Sequence, residues 1–301
     1  MAYHSDHATL TESARVPADR RSALFRESFL NIAERWTLGL AWALSPKHIA
    51  GIPGLAKLCF DELLAPDYAL PDSGAALANP PGLAGIVHDF TLPTLLAAYR
   101  RGLFPFAHIA PLKWWSPAQR TLLFFKDFHL PNNLRRLMRQ GHYTVTFDRD
   151  FEGVIAGCAG RRQGRWHLTW ITPRIMRAYA EAFDSGHAHS YEVWNRAGEL
   201  VAGGYGIASG GVFSGESQFA REPNSSKIGL AVLNWHLAKW GFKFFDGKRT
   251  GPLWESLGYR DIPRQDYLAR LAEAVRVPIK IGRWQVETDL ESVSHWQPDK
   301  D

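Results

Sequence analysis

The chain has 301 residues, of which 46% are hydrophobic and 22% charged, and this composition is typical of a soluble globular protein with one large or two modest domains. Its formal charge of +5 is compatible with a polyanionic partner, but solvated Lys and Arg side chains alone would also explain it. Two cysteines, Cys59 and Cys158, are too few for a disulfide framework, and no Cys and His residues have the spacing of metal ligands. The sequence shows no signal sequence and no apolar run long enough to span a membrane. We therefore expect a cytoplasmic protein without a metal site or stable membrane insertion.

Residues 1–69 are predicted to form a helical N-terminal extension. Apolar residues recur at helical spacing between Asp19 and Leu44, with Asp19 as a possible cap and Pro46 beyond the end. A second, short helix is predicted over Leu55–Leu64. The apolar stripe is typical of a helix that packs on the rest of the protein. A helix facing a partner or a membrane is the alternative, although its polar face is not strongly basic.

Residues 70–140 are predicted to form a small α+β domain. Leu92–Arg101 is expected to be a helix, which Pro105 prevents from continuing. Thr121–Phe125 resembles a strand.

Residues 141–301 are predicted to form a second domain in which strands and helices alternate. Strands are predicted over Tyr143–Phe147, Ala188–Trp194, Leu200–Ile207, Val212–Phe219 and Lys243–Asp246. Helices are predicted over Phe151–Ala159, over Pro173–Ser185, and from a cap at Ser225 or Ser226 to Trp240. A meander of strands flanked by helices indicates an α+β fold around a mostly antiparallel sheet.

The predicted strand from Val212 to Phe219 has an unusual centre. Glu216 lies between Gly215 and Ser217, and the amide of Gln218 follows. Such polar groups are poor core material, because a buried polar group needs hydrogen-bond partners. Glu216 is therefore expected to hold a polar atom of a substrate, such as an amino group. The alternative is a buried carboxylate that neighbouring backbone N–H groups satisfy.

Eight short segments together resemble the leucyl/phenylalanyl-tRNA–protein transferase family. They occur in the family's order and are Ala98–Pro105, Trp114–Pro117, Gly157–Ala159, Thr169–Thr172, Gly186–Ser190, Glu192–Trp194, Gly215–Ser217 and Ser256–Gly258. The resemblance extends from about residue 70 to residue 270. It implies a small N-terminal domain followed by a GNAT-like acyltransferase domain.

The resemblance also implies a reaction. Family members transfer an amino acid from aminoacyl-tRNA to the N-terminal Arg or Lys of a protein. The ester bond to tRNA is already activated, so the resemblance implies no metal and no organic cofactor. The attack of an amine on this ester needs a neutral amine, a held carbonyl group and a place for the developing oxyanion.

The matched residues suggest roles at the tRNA 3′ end. Trp115 and Trp170 are candidates to stack on the terminal adenosine, since aromatic side chains stack on any base. The alternative is that they are core aromatics, and for Trp114 we favour that interpretation. Lys227, Arg249 and Arg260 are candidates for phosphate contacts, although each residue type is also common as a solvated surface charge.

Three residues are candidates for catalysis, namely Asp246, Lys248 and Glu216. Asp246 ends a predicted strand and would orient or polarise the attacking amine, as its family counterpart is thought to do. An acidic residue in this place is also common as a helix cap or loop anchor.

Two departures from the family pattern concern the amino acid that is transferred. Gln218 stands where the family typically has Met, and Gly204 where it has a bulky Leu or Met. Together with Phe213 and Ser217, these positions are expected to line the substrate pocket. Gly enlarges a pocket, and an amide makes it polar, so we expect the transferred amino acid to be larger or more polar than Leu or Phe. Unchanged specificity is the alternative.

A further departure concerns the acceptor. Lys248 replaces a family Gln, and Gly251 and Leu253 replace a family Asn and His. A protonated Lys248 would repel an Arg or Lys acceptor, attract an anionic one, and stabilise an oxyanion. The acceptor is therefore expected to be a protein N-terminus, as in the family, or the amine of a small molecule or peptide.

Two other functions remain compatible with the sequence. An N-acyltransferase of the same fold that uses acyl-CoA would need an Arg/Gln-x-x-Gly-x-Gly/Ala loop between a strand and a helix. This chain has Asn224–Lys227 at that position instead, which disfavours CoA. The other function is that of a catalytically silent protein that still binds the tRNA end in its groove. It remains open because Lys248 replaces the Gln of the family.

Overall fold

The computed structural model describes residues 18–64, 67–161, 167–279 and 281–298. The helices are α1 Ala18–Leu24, α2 Phe29–Ala43, α3 Ile52–Leu64, α4 Leu92–Arg100, α5 Asn132–Arg139, α6 Phe151–Ala159, α7 Pro173–Asp184, α8 Ser225–Lys239, α9 Pro252–Ser256, α10 Arg264–Ala274 and α11 Leu290–Ser294. The strands are β1 Leu83–Ile86, β2 Phe104–Phe106, β3 Lys113–Trp115, β4 Gln119–Leu123, β5 Tyr143–Phe147, β6 Ala188–Asn195, β7 Leu200–Ser209, β8 Val212–Ala220, β9 Phe244–Lys248 and β10 Arg260–Pro263.

The N-terminal extension contains three α-helices in its described part, and residues 1–17 and 65–66 of the predicted extension lie outside the described residues. The prediction of one helix from Asp19 to Leu44 is wrong. The chain leaves the helix after α1, and Ser28 begins α2 by accepting a hydrogen bond from the Asn31 backbone N–H at 3.2 Å. Serine favours such a cap over the helix interior. The second helix is confirmed and begins at Ile52.

The extension is joined to the rest of the protein by ion pairs and partly buried apolar contacts. Arg21 lies 2.6 Å from both Glu152 and Asp184, and the Glu152 side chain is buried. The apolar stripe is only partly covered, because Phe29 is 82% and Leu40 56% exposed. In the described part of the chain, no helix combines the length and the apolar character needed to cross a bilayer.

Two sheets organise the remaining chain. A small sheet has the order β1-β3-β2, and a seven-stranded sheet has the order β10-β4-β9-β8-β7-β6-β5. In the large sheet only β8 and β9 pair in parallel, so the predicted α+β fold with a mostly antiparallel sheet is confirmed. Strand β4 precedes residue 140 but belongs to the large sheet, and the predicted division into domains stays a prediction.

The parallel pair in the middle of the large sheet is short. Val212–Ser214 of β8 pair with Phe244–Asp246 of β9, and the recorded pairing ends there. Beyond it, β8 continues beside β7 and β9 continues beside β4. The strands therefore separate, and the residues that follow on each of them line one cavity.

A buried carboxylate on β6 gives the fold a pH dependence. Glu192 accepts hydrogen bonds from the hydroxyl groups of Thr146 and Ser190, both at 2.6 Å. Burial nevertheless raises the pKa of Glu192 from 4.5 to about 7, and the nearby Asp148 contributes to the rise. The folded protein thus keeps a proton at pH values where the unfolded chain has lost it.

We expect Glu192→Gln to stabilise the protein at neutral and alkaline pH. The wild-type stability from this proton is fully present below the unfolded pKa of 4.5 and is lost as the pH rises to about 7. Over this pH range the wild-type protein therefore loses about 3 kcal/mol of its free energy of unfolding, because the pKa rises from 4.5 to about 7 on folding and one pKa unit corresponds to about 1.4 kcal/mol. Urea unfolding at about pH 5 and about pH 8 should show the variant gaining relative to wild type only at the higher pH. The exposed Glu199→Gln is the control, and a gain that is equal at both pH values would contradict the assignment.

Candidate active site

A cavity of about 340 Å³ lies where β8 and β9 separate. Its lining includes the aromatic residues Phe104, Phe106, Trp170, Tyr191, Tyr205, Phe213, Phe245 and Trp254. Among the described residues, its charged lining consists of Glu216, Lys248 and Arg249. An aromatic cavity with a few charged groups is typical of a ligand site.

Glu216 lies at the centre of a buried network of side chains. The hydroxyl groups of Tyr99 and Tyr179 donate hydrogen bonds to its carboxylate at 2.5 Å and 2.8 Å, and the Lys248 ammonium group forms an ion pair with it. Burial raises the pKa of both tyrosines well above the usual value, and the Glu216 charge adds to the rise. The two hydroxyl groups therefore remain protonated donors. Side chains satisfy this carboxylate, and in the described residues no backbone N–H donates to it.

The sequence reasoning missed both tyrosines. Tyr99 belongs to the matched segment Ala98–Pro105 and lies on the buried side of α4, and Tyr179 lies on the buried side of α7. A tyrosine on the apolar face of a helix usually needs a partner for its hydroxyl group, which is the signal that was available.

Lys248 reaches Glu216 through an unusual backbone conformation. Its φ of 66° lies in the left-handed region, which is uncommon for a residue other than Gly and recurs at functional sites. The Lys248 backbone N–H donates to Asp246 at 2.9 Å and holds this turn. Burial lowers the pKa of Lys248 below its ordinary value, although Glu216 and Asp246 act in the opposite direction.

Asp246 is fully buried and does not line the cavity in the described structure. Its carboxylate accepts two hydrogen bonds from Arg120, at 2.8 Å and 2.7 Å, and further ones from Ser214 and Tyr267. Burial favours a higher pKa for Asp246, but the charges and hydrogen bonds of Arg120 and Lys248 together outweigh it, and the pKa lies below its ordinary value. Asp246 contacts the lining residue Lys248 through the hydrogen bond from its backbone N–H. The predicted action of Asp246 on the attacking amine stays a prediction.

Gly204 and Gln218 are direct neighbours in the paired strands β7 and β8. A Cβ atom at Gly204 would lie only 2.7 Å from Cε1 of Tyr191, so the ring of Tyr191 fills the space that a side chain there would need. Gly204 therefore adds no volume to the cavity, contrary to the expectation from sequence. The polar lining is present, because the Tyr191 hydroxyl donates to Gln218 Oε1 at 2.8 Å and both residues line the cavity.

The tryptophans differ in their relation to the cavity. Trp170 lines it, with its ring centroid 5.7 Å from that of Phe106. Trp115 is half-buried, donates its indole N–H to the Phe106 carbonyl at 2.8 Å, and is outside the described lining. Trp114 is a core residue, 2% exposed, as expected. Stacking of adenosine on Trp115 and Trp170 stays a prediction.

The other predicted residues fall into two groups. Phe213, Ser217 and Arg249 line the cavity. Lys227, in the first turn of α8, and Arg260, which pairs with Asp127 at 3.0 Å, are outside the described lining. In the described part of the chain, no group of three or more His, Cys, Asp or Glu residues could hold a metal ion.

Comparison with known proteins identifies two matching regions. The family model for "Leucyl/phenylalanyl-tRNA protein transferase" matches residues 122–272, and the model for its N-terminal domain matches residues 88–118. A leucyl/phenylalanyl-tRNA–protein transferase of Alkalilimnicola ehrlichii is 39% identical over 230 residues, which cover 76% of this chain and 89% of the relative. A second one, of Pseudomonas syringae pv. syringae, is 46% identical over 199 residues, which cover 65% of this chain and 86% of the relative.

One solved structure shows a weaker likeness. The structure of L-PGS from Bacillus licheniformis is 10% identical in sequence, covers 50% of this chain and 47% of that one, and has a TM-score of 0.30. This value is too low to support any inference about the fold or the activity of the chain.

Proposed function

The chain belongs to the leucyl/phenylalanyl-tRNA protein transferase family of aminoacyltransferases, and from this premise we propose that it joins an amino acid carried by tRNA to the N-terminal amine of a protein. In this reaction the amine nitrogen attacks the carbonyl carbon of the aminoacyl ester. The new C–N bond forms, the C–O bond to the terminal ribose breaks, and one amine proton ends on the departing ribose oxygen. The products are an extended protein and uncharged tRNA.

The observation that carries this proposal is the pairing of Glu216 with Lys248 inside an aromatic cavity. The sequence suggested that Glu216 holds the amino group of the aminoacyl ester. In the structure its carboxylate is already engaged by Lys248 and two tyrosines. We propose that Glu216 fixes the Lys248 amine beside the ester carbonyl, where it stabilises the developing oxyanion.

We further propose that the transferred amino acid is larger or more polar than leucine. The support is the polar part of the lining, which includes Gln218 and Tyr191, joined by a hydrogen bond from the tyrosine hydroxyl to the amide oxygen. A cavity that offers hydrogen bonds discriminates against side chains that cannot use them, because its polar groups then lose their partners. Much of the lining is aromatic, so we expect a long or planar side chain, such as that of Tyr or Gln, to pack against it.

A panel of tRNAs charged with labelled Leu, Phe, Met, Tyr or Gln tests this proposal. With a mixed peptide pool as the acceptor, we expect tyrosyl or glutaminyl transfer to exceed leucyl transfer about tenfold in kcat/KM, the scale of one lost hydrogen bond. Gln218→Met restores an apolar lining and should move the preference toward Leu. Efficient leucyl transfer by the wild-type protein would contradict the altered specificity, and transfer of no amino acid would contradict the reaction itself.

A further inference from the structure

The charges of the cavity do not cancel. Glu216 and Lys248 form one ion pair, whose net charge is zero. Arg249 is the remaining charged residue in the described lining. The lining therefore has a net charge of +1, which follows from one Glu, one Lys and one Arg.

Arg249 and Thr250 are both exposed and both line the cavity, so they form its mouth. No carboxylate in the described structure lies within salt-bridge distance of the Arg249 guanidinium group. Glu255 accepts a hydrogen bond from the Thr250 hydroxyl at 2.9 Å and is outside the lining. Asp246 is bound by Arg120 behind Lys248. A cationic group entering at the mouth thus meets a cation first.

We propose that the acceptor protein begins with an acidic residue, Asp or Glu. The inference rests on the proposed function and specifies its second substrate. The reacting amine has to enter through the mouth, and the first side chain of the acceptor is attached to the carbon next to that amine. This side chain therefore lies near Arg249, whose planar guanidinium group binds a carboxylate through two hydrogen bonds. An Arg or Lys side chain would be repelled by Arg249 there.

Peptides that differ only in their first residue test this acceptor preference. Peptides beginning with Asp, Glu, Asn, Arg or Lys are offered separately, with a mixture of charged tRNAs carrying labelled amino acids as the donor. We expect kcat/KM for the Asp and Glu peptides to exceed that for the Arg peptide by about tenfold, because an attraction replaces a repulsion of similar size, each on the scale of a charge pair at a protein surface. The Asn peptide should lie between them.

Three variants assign the preference to its residues. Arg249→Gln removes the charge at the mouth and should bring the ratio of Asp to Arg acceptor use close to one. Lys248→Gln leaves the Glu216 carboxylate unpaired, so the lining becomes neutral, and the same ratio should fall. Because the readout is a ratio, a general loss of activity in either variant cancels. Arg276→Gln makes the same charge change at an exposed residue outside the lining and should leave the ratio unchanged.

The possible outcomes separate this inference from the proposed function. Transfer that favours the Arg or Lys peptide would overturn the acidic acceptor and leave the reaction intact. If Arg249→Gln raised KM for charged tRNA equally with every peptide and left the ratio unchanged, Arg249 would bind a tRNA phosphate and the inference would be wrong. Transfer to none of the peptides would overturn the proposed function, and the acceptor inference with it.

Discussion

Replacing Asp246 by Asn is expected to lower the free energy of unfolding by about 3–5 kcal/mol, the usual effect of removing one partner from a buried ion pair. Arg120 and Asp246 are 1% and 0% exposed, and two hydrogen bonds join them. Asn retains the shape of the side chain but leaves the Arg120 guanidinium group charged and unpaired inside the protein. Urea unfolding at neutral pH measures the loss, with unchanged secondary structure confirming that the variant still folds.

The matched control for this prediction is Asp61→Asn. Asp61 also pairs with a cation, but the side chains of Lys57 and Asp61 are 76% and 53% exposed. Exposed pairs contribute little, so this variant should lose less than about 1 kcal/mol. Similar losses in the two variants would show that the burial of the Arg120–Asp246 pair has no particular importance.

Replacing Glu216 by Gln is expected to lower kcat/KM for amino acid transfer by about 100-fold. The carboxylate accepts hydrogen bonds from two tyrosine hydroxyls and pairs with Lys248. An amide cannot accept all of these bonds or balance the lysine charge, so the Lys248 amine loses its fixed position. Hydrogen bonds to a charged group contribute about 1.5–3 kcal/mol, and about 3 kcal/mol corresponds to a 100-fold change in rate. Steady-state transfer with the best donor and acceptor measures the effect.

Glu222→Gln is the control for this activity loss. Glu222 also accepts a hydrogen bond from a tyrosine hydroxyl, that of Tyr143, at 2.7 Å, but it does not line the cavity in the described structure. This variant should keep near wild-type transfer, and thermal unfolding of both variants separates lost activity from lost folding. An unimpaired Glu216→Gln enzyme would remove Glu216 from the proposed mechanism.

Local sequence patterns were enough to predict most of the large sheet. Strand β5 has the predicted bounds, and β6, β7 and β8 differ from the predicted strands by one or two residues at their ends, because turns at glycines separate apolar segments. The break between α1 and α2 was not predicted, because nothing in the apolar spacing marks it. Apolar spacing continues through Ser28, and the hydrogen bond of this cap is visible only in three dimensions.

The candidate site was only partly predictable because its contacts cross between strands. Glu216 and Lys248 were each expected to be in the site, but their mutual pairing depends on how β8 and β9 separate, and they are 32 residues apart. The register of β6 and β7 places Tyr191 opposite Gly204, and this pairing fills the space that glycine leaves. Likewise, Arg120 of β4 reaches Asp246 of β9 through a strand order that the sequence does not reveal.

The separation of β8 from β9 bears on how this enzyme can diverge from its relatives. The opening lies where the two strands stop pairing, after Ser214 and Asp246. We therefore expect substitutions at lining residues such as Gln218 and Lys248 to leave the opening in place. If the cavity is the site of the proposed reaction, the backbone would preserve its place while some lining residues change. Directed evolution of new substrate pairs should accordingly begin at these lining positions.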